Sequence, residues 1–405
     1  MDPVTHAIAG SLLGKSFFSK RGGRVAIFAA TLGAIFPDID TVADVVTRDP
    51  LAIVKYHRGI THSWFGLPFF AAALAWLTQR LARKLGLETP SWGWLTFIYS
   101  VGIASHILMD GTTSFGTRMW TPFSDRRVAW DLIFIIDLIF TSILLVPQVA
   151  AWVYSDRERS QRRALAMWIC FTLGACVGWV VGLATGFPFS AWLIAVASVL
   201  FAAVFFLPGM DDEWVFSVSR QTWCRAGLCL ALVYVFVCGL AHHLAMQRVV
   251  QFAQQNRIVA VRIGALPLAP SLLNWGTGIR SPDGVFESQF DLKNAASAQT
   301  VFSPDSQADI YTARALLLPS VRLFWGFSRF PSILSHTEDG QHVVDIGENR
   351  FMNQRRGPQP FTYRVVFDAQ GRVTQEGLLS DGMFLRRMRP ESATEKDAAK
   401  TGQTP

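Results

Sequence analysis

Long apolar segments separated by short polar connections fill the first 250 residues of the chain. A helix needs about 20 mainly apolar residues to cross a bilayer. Four segments reach that length, approximately at 130–154, 164–187, 189–207 and 226–246. Between residues 164 and 210, 47 residues pass without one Asp, Glu, Lys or Arg. The pattern predicts an integral membrane protein.

Four earlier apolar segments are shorter, at approximately 4–18, 25–37, 63–78 and 92–109. The second of them holds only about 13 residues, which at 1.5 Å per residue gives roughly 20 Å, less than the ~30 Å hydrocarbon core. We therefore expect the first two segments to form a re-entrant or thinly spanning hairpin.

The sequence changes character after residue 246. Strand-like segments at 259–266, 284–292, 342–346 and 361–368 are separated by residues that favour turns. The fold class we predict is a polytopic α-helical membrane bundle of about 6–8 helices with a C-terminal β-rich soluble domain. We predict a metal-site region of short helices at 1–140 and transmembrane helices at 141–248. The β-rich domain follows at 249–388 and a disordered tail at 389–405.

Composition supports the membrane assignment. The chain is 51% hydrophobic and 17% charged, against about 25% charged residues in soluble proteins, which disfavours both disorder and an ordinary cytosolic enzyme. The net charge is +7, and the basic residues lie in short runs between apolar segments. In those positions Lys and Arg determine the orientation of the membrane helices, so we expect no nucleic-acid partner. The five cysteines lie in or beside apolar segments and predict neither a disulfide framework nor a thiolate metal site.

Lys and Arg are unevenly shared between alternate connections. Thirteen lie on one side of the predicted membrane and six on the other. Because basic residues favour the cytoplasmic side, we expect a multi-pass protein of the inner (plasma) membrane with both termini outside the cytoplasm. The β-rich domain is then extracytoplasmic.

Four polar clusters interrupt the first 140 residues, at 2–6, 37–40, 57–62 and 106–111. Each lies at the end of an apolar segment, and the predicted topology places all four at one membrane face. Imidazole and carboxylate are the usual ligands of zinc and similar ions. The candidate ligands are His6, Asp38, His57, His62, His106 and Asp110. His106 and Asp110 are four residues apart, so on a helix their Cβ atoms would be roughly 6 Å apart, close enough to bind one ion.

Other interpretations of these residues stay open. Asp38 and Asp110 lie near predicted helix C-termini, where the helix dipole disfavours a carboxylate; a cation would remove the conflict, as would capping by Thr112, Thr113 and Ser114. Asp137 lies within a predicted span, where its carboxylate either pairs with another helix or has a direct functional role. His242 and His243 are assigned to packing. Arg126 and Arg127 are interfacial anchors or hold a phosphate oxygen, because a guanidinium matches that geometry.

A family resemblance rests on these motifs together. The segments Asp2-Pro3-Val4-Thr5-His6, Pro37-Asp38-Ile39-Asp40, His57-Arg58-Gly59-Ile60-Thr61-His62-Ser63, His106 with Asp110, and Pro122-Phe123-Ser124 resemble membrane-bound, metal-dependent hydrolases of the YdjM type. The resemblance covers about the first 140 residues, and the stretch from Leu266-Pro267 to Asn274-Trp275 resembles long members of the group. It implies a membrane enzyme with a metal site.

A more distant similarity concerns the zinc-dependent phospholipase C and single-strand nuclease superfamily. Its zinc cluster takes an early His, a Pro-Asp, a middle His and a His-x-x-x-Asp, an order similar to His6, Asp38, His57 or His62, and His106 with Asp110. Those enzymes also use an N-terminal tryptophan amine, where this chain has Met1, and a later His-x-x-x-Glu pair, which does not follow Asp110. The resemblance therefore implies one or two ions here.

From these observations we expect a metal-dependent hydrolase that acts on a phosphoester or lipid-linked substrate. Zinc is the preferred ion, Asp38 is a ligand or the base that takes the water proton, and Arg126 is the oxyanion partner. Membrane lipids are the expected partners, and the oligomeric state is left open. Two alternatives remain, an ion transporter and a non-catalytic membrane scaffold with a structural metal.

Overall fold

The computed structural model describes residues 1–47, 49–185, 191–210, 214–293, 300–307, 309–351, 361–380 and 383–384. The predicted disordered tail at 389–405 lies outside these residues. The helices are α1 Pro3–Leu13, α2 Ser19–Ile35, α3 Val42–Thr47, α4 Ala52–Lys55, α5 Leu67–Lys84, α6 Trp92–Gly111, α7 Leu138–Val153, α8 Ser160–Thr185, α9 Trp192–Phe206, α10 Trp214–Ser217, α11 Arg220–Gln255, α12 Ile310–Leu317 and α13 Pro319–Phe327. The strands are β1 Arg262–Pro267, β2 Asn274–Ser281, β3 Gly284–Asp291, β4 Val301–Pro304, β5 Pro331–Glu338, β6 Gln341–Glu348, β7 Thr362–Phe367, β8 Val373–Ser380 and β9 Met383–Phe384.

The chain falls into two compact units. The first comprises Met1–Pro37, Ile60–Ala129 and Ile135–Val237, and the second comprises Asp38–Gly59, Trp130–Phe134 and Cys238–Pro405. Within the described residues, five helices are long and apolar enough to cross a membrane, or six if the pair Ala52–His62 and Leu67–Lys84 is counted as one span. The prediction of a helical membrane bundle with a β-rich C-terminal part is confirmed.

The first unit begins with a helical hairpin. Gly23, inside the range of α2, has a non-helical conformation (φ 54°, ψ −142°), and the helical segments on either side of it pack antiparallel. A Cβ on Gly10 would lie 2.6 Å from the Ala30 carbonyl oxygen, and one on Gly14 would lie 2.8 Å from the Ile27 Cα. This small-xxx-small spacing lets two backbones approach closely, as in membrane helix pairs. The hairpin that the short apolar segments predict is present.

Helix α6 packs against the returning arm of this hairpin in the same way. A Cβ on Gly102 would meet the Ala30 carbonyl oxygen at 2.6 Å, and one on Gly33 would meet the Tyr99 carbonyl oxygen at 2.9 Å. Buried alanines of α2 and α5 fill the surrounding core. The backbone of α2 therefore lies directly against the half of α6 that carries His106.

Helix α7 begins later than the apolar pattern predicts. The predicted segment starts at residue 130, whereas α7 spans only Leu138–Val153. Asp137 precedes it as the N-cap, and its carboxylate accepts hydrogen bonds from the backbone N–H groups of Ile139 and Phe140 at 2.9 and 3.0 Å. The placement of Asp137 within a span is wrong, because its carboxylate satisfies backbone donors at the start of the helix. Its pairing with another helix is present, since Tyr234 donates to Asp137 Oδ2 at 2.8 Å.

The second unit contains two antiparallel meanders. One has the strand order β1-β2-β3-β4 and the other β5-β6-β7-β8-β9. The predicted turn before Gly284 joins β2 to β3, and Ser281 pairs with Gly284 in the register. Trp275 and Ile279 of β2 are fully buried against the last turns of α11. His242 packs here, with its ring centroid 5.6 Å from that of Trp275.

Candidate metal centre

Four ionisable side chains of the first unit meet in its interior. His6 lies on α1, His62 ends the 3-10 helix Ile60–His62, and His106 and Asp110 lie one turn apart near the end of α6. All four have a relative exposure of 0%. Burying such groups away from water is costly unless they are paired or hold a metal ion. We therefore ask which contacts or which bound ion could compensate for the burial of these four side chains.

The Asp110 carboxylate lies at the middle of the group. Its Oδ1 is 3.2 Å from His6 Nε2, and its Oδ2 is 3.3 Å from His62 Nε2 and 3.5 Å from His106 Nε2. The Met1 amino group also contacts Oδ1. The rings of His6 and His106 are stacked, with centroids 3.7 Å apart. Each of the three imidazoles thus presents Nε2 to the same carboxylate.

A backbone contact orients the ring of His106. Its Nδ1 lies 2.6 Å from the Ala34 carbonyl oxygen. Because a carbonyl oxygen can only accept a hydrogen bond, Nδ1 carries a proton. His62 Nε2 lies 3.0 Å from His106 Nε2. The contact with Ala34 therefore directs Nε2 of His106 at the other candidate ligands.

The spacing of these atoms fits a divalent ion. Nitrogen and oxygen ligands lie about 2.0–2.2 Å from zinc, so two ligands of one tetrahedral ion are roughly 3.4 Å apart. The separations from Asp110 to the imidazoles are 3.2, 3.3 and 3.5 Å. Neutral imidazole and carboxylate are also the donors that zinc prefers. The residues present fit a metal ion both in chemistry and in spacing.

Three of the candidate ligands form a cluster within the first unit. One ligand atom each from His62, His106 and Asp110 can be chosen so that all lie within 4.8 Å of one another, and all three side chains are buried. These side chains form a cluster that could hold a metal ion. Asp38 follows Pro37 directly, within the 3-10 helix Phe36–Thr41, and its side chain is partly buried; its ligand role stays a prediction.

His57 is held by a carboxylate of its own. Its Nδ1 lies 2.9 Å from Asp40 Oδ1, and the other oxygen of Asp40 accepts the backbone N–H of Arg58 at 2.9 Å. Arg58 has a positive φ of 59°, which non-glycine residues seldom adopt. Asp40 thus orients His57 and supports the turn that follows it. The motif Pro37-Asp38-Ile39-Asp40 contains Asp40, but residue spacing alone did not identify His57 as the partner of that carboxylate.

The remaining candidates lie apart from the four buried side chains. Arg126 has an exposed side chain, and its backbone N–H donates to Ser124 Oγ at 3.2 Å; among the described residues, no hydrogen bond or ion pair of its guanidinium is found. Arg127 donates to the Gly116 carbonyl at 3.3 Å. Thr112 and Thr113 donate to the carbonyls of Met109 and Asp110 at 2.6 and 2.8 Å, so they cap the end of α6.

The motifs and the buried cluster agree with a comparison of the sequence with known families. Residues 1–184 match the sequence model described as YdjM inner membrane protein. The family prediction is confirmed for this part of the chain. The matched region contains Asp38, His62, His106 and Asp110. The description of this family and the apolar helices together support a membrane location for the protein. The side on which the C-terminal part lies stays a prediction.

One curated relative matches part of the chain. It is the uncharacterized protein YfhP of Bacillus subtilis (strain 168), 31% identical over 163 residues. The alignment covers 38% of this chain and 46% of YfhP, so less than half of that relative is matched. No solved structure matches the chain.

Proposed function

We propose that the YdjM-family region is a membrane-embedded, metal-dependent hydrolase that acts on a phosphoester or lipid-linked substrate. The observation that carries this proposal is the convergence of His6, His62, His106 and Asp110, all fully buried. The Asp110 carboxylate lies 3.2–3.5 Å from Nε2 of each imidazole, and Nε2 of His62 lies 3.0 Å from Nε2 of His106. We propose His62, His106 and Asp110 as ligands, with His6 beside them and zinc as the preferred ion.

A divalent ion at such a site supplies Lewis acidity, which lowers the pKa of water toward ~7 and polarises a phosphoryl or acyl oxygen. The chain's own residues supply the rest. The Ala34 carbonyl orients the His106 ring. Asp38, whose side chain is partly buried, is proposed as a further ligand or as the base that accepts the water proton.

The substrate class follows from the surface beside His62. Ile60 and Phe65, two residues before and three after it, are 44% and 43% exposed, and Trp120 and Phe123 of the nearby loop are 48% and 76% exposed. The rings of Phe65 and Phe123 lie 4.6 Å apart, which joins the two segments into one apolar surface. Such a surface suits the acyl part of a lipid, and the exposed Arg126 guanidinium is available for its phosphate.

Metal content tests the proposed ligands. Full-length protein purified in detergent and loaded with zinc should contain stoichiometric metal by elemental analysis. Asp110→Asn and His62→Asn, each close in shape to the original residue, should lower retained zinc by at least tenfold, because each removes one donor of the proposed ligand set. His243→Asn, at an exposed histidine, is the matched control and should retain the metal. Full zinc occupancy in both ligand variants would contradict the site.

Hydrolysis tests the reaction. The zinc-loaded protein should cleave a chromogenic phosphodiester or a phospholipid in mixed micelles, and both ligand variants should lose that activity. Stoichiometric zinc without cleavage of either substrate would favour a structural metal and contradict the enzymatic proposal. That outcome would leave the ligand assignment standing.

A further inference from the structure

A lysine lies inside the first candidate membrane span, well away from the metal centre. Lys15 belongs to the π-helix Gly14–Phe18 that follows α1, within the apolar stretch Pro3–Thr41. It is nine residues beyond His6, a separation of roughly 13 Å along a helix. Lys15 is partly buried and is one of the thirteen basic residues counted for the cytoplasmic side, so we expect it toward the cytoplasmic end of this stretch, where basic side chains meet lipid headgroups.

A neutral side chain is the partner of this lysine. Lys15 Nζ donates to Gln148 Oε1 at 2.8 Å, and Ser11 Oγ donates to the same oxygen at 3.0 Å. Gln148 Nε2 donates in turn to the carbonyls of Ile8 and Leu144, both at 3.0 Å. Gln148 is therefore fully engaged and supplies no negative charge. Among the described residues, no carboxylate forms an ion pair with Lys15, so its charge is uncompensated by the protein.

The lysine faces a groove that is large enough for part of a ligand. The groove has a volume of about 480 Å³, within the range of about 300–1,000 Å³ for small-molecule sites. Its polar lining is formed by the hydrogen-bonded group of Ser11, Lys15 and Gln148 together with Thr31, and its apolar lining includes Ile8, Val149 and Trp152. The groove thus offers a cation and hydrogen-bond groups as well as hydrocarbon and an aromatic ring.

We propose that this groove binds an anionic phospholipid. The phosphate compensates the charge of Lys15, and an acyl chain lies along Ile8, Val149 and Trp152. Basic pockets between membrane helices recognise anionic headgroups in this way. A zwitterionic lipid carries its own cation and compensates Lys15 less well, so the site selects by headgroup charge. This lipid site is separate from the proposed catalytic centre and does not depend on it.

Trp152 provides the readout. Full-length protein in nanodiscs should show stronger quenching of Trp152 fluorescence by brominated phosphatidylglycerol than by brominated phosphatidylcholine at equal mole fraction, with a Trp152→Phe variant subtracted as background. Lys15→Gln should weaken the preference about fivefold, the effect of one cation near an anionic lipid. Lys15→Arg should preserve it. Lys20→Gln, at an exposed lysine five residues further along, is the matched control and should also preserve it.

Two results would overturn the lipid site. One is equal quenching by the two lipids in the wild-type protein, which requires no variant to fold. The other is an unchanged preference in Lys15→Gln. Removing metal with a chelator should leave the lipid preference intact, so failure of the metal centre and failure of the lipid site are distinguishable.

Discussion

At the scale of single residues, imidazole orientation in this protein is set by partners that are distant in sequence. His106 is oriented by the Ala34 carbonyl, 72 residues away, and His57 by Asp40, 17 residues away. Residue type and spacing identify which side chains can bind a metal. The partner that orients the ring is a backbone oxygen or a second carboxylate, and it becomes visible only when the helices are packed.

Glu287 on β3 gives a prediction at the same scale. Burial, with a smaller contribution from Glu348, raises the pKa of Glu287 from 4.5 to about 7, and its Oε1 is buried without a hydrogen-bond partner among the described residues. Between pH 4.5 and 7 the folded protein binds a proton that the unfolded chain has released. The free energy of unfolding should therefore fall as pH rises through this range, by up to about 3 kcal/mol.

Thermal unfolding of the full-length protein in detergent measures this effect. Glu287→Gln should remove most of the loss between pH 4.5 and 7, because the amide stays neutral throughout. The exposed Glu88 is the matched control, and Glu88→Gln should lose stability with pH as the wild type does. The same decline in Glu287→Gln as in wild type would refute the assignment.

At the scale of elements, glycines determine how closely the helices that carry the ligands approach each other. Gly102 of α6 faces the Ala30 and Ala34 backbone of α2, and Ala34 also accepts the hydrogen bond from His106. The same contact therefore sets the helix spacing and the ligand orientation. A change in that spacing should alter metal binding without changing any ligand.

Gly102→Ala tests this coupling. The added methyl would lie 2.6 Å from the Ala30 carbonyl oxygen, so the helices must separate, at a cost of about 1–3 kcal/mol. We expect a lower unfolding temperature and weaker zinc retention. Gly93→Ala on the same helix is the control, because nothing lies within 4 Å of its added Cβ, and it should be neutral or slightly stabilising. Equal metal retention in the two variants would contradict the coupling.

Much of the secondary structure follows from the sequence, and the exceptions have physical causes. Strands β1, β3, β6 and β7 coincide with predicted segments, because alternating residues and turn signals are local. Helices α12 and α13 were not predicted; they are short, at 8 and 9 residues, and depend on tertiary packing. Helix α7 starts late because the Asp137 carboxylate caps its first backbone N–H groups. The apolar residues before Asp137 predict helix, but they lie outside it.

At the scale of the whole molecule, topology follows from the distribution of Lys and Arg. The counts of thirteen and six predict that the loop after α6 lies outside the cytoplasm and that the connection between α5 and α6 lies inside it. Asp125→Cys, at a side chain that is 89% exposed, should react with an impermeant maleimide in intact cells. Glu88→Cys should react only after lysis. The reverse labelling pattern would overturn the predicted orientation. Labelling of the wild-type protein gives the background from its native cysteines.

The sequence predicts that histidines and aspartates meet at one membrane face. It does not predict which of these residues lie together. The sequence left His57 and His62 as equivalent candidates; the structure brings His62 to Asp110 and places His57 beside Asp40. The four residues between them include the turn at Arg58, and the direction in which each ring leaves that turn depends on its backbone conformation. The ligand roles stay predictions until metal is measured.

The wide separation of the clustered residues along the chain has a consequence for biogenesis. His6 and Asp110 touch across 104 residues, so the pocket cannot exist while the nascent polypeptide is still emerging. Only after α6 has left the translocation machinery and docked against the hairpin are all donors together. We therefore expect cation binding at the proposed centre to be a late maturation event, and a ribosome-stalled chain that ends before Trp92 should be unable to acquire the ion.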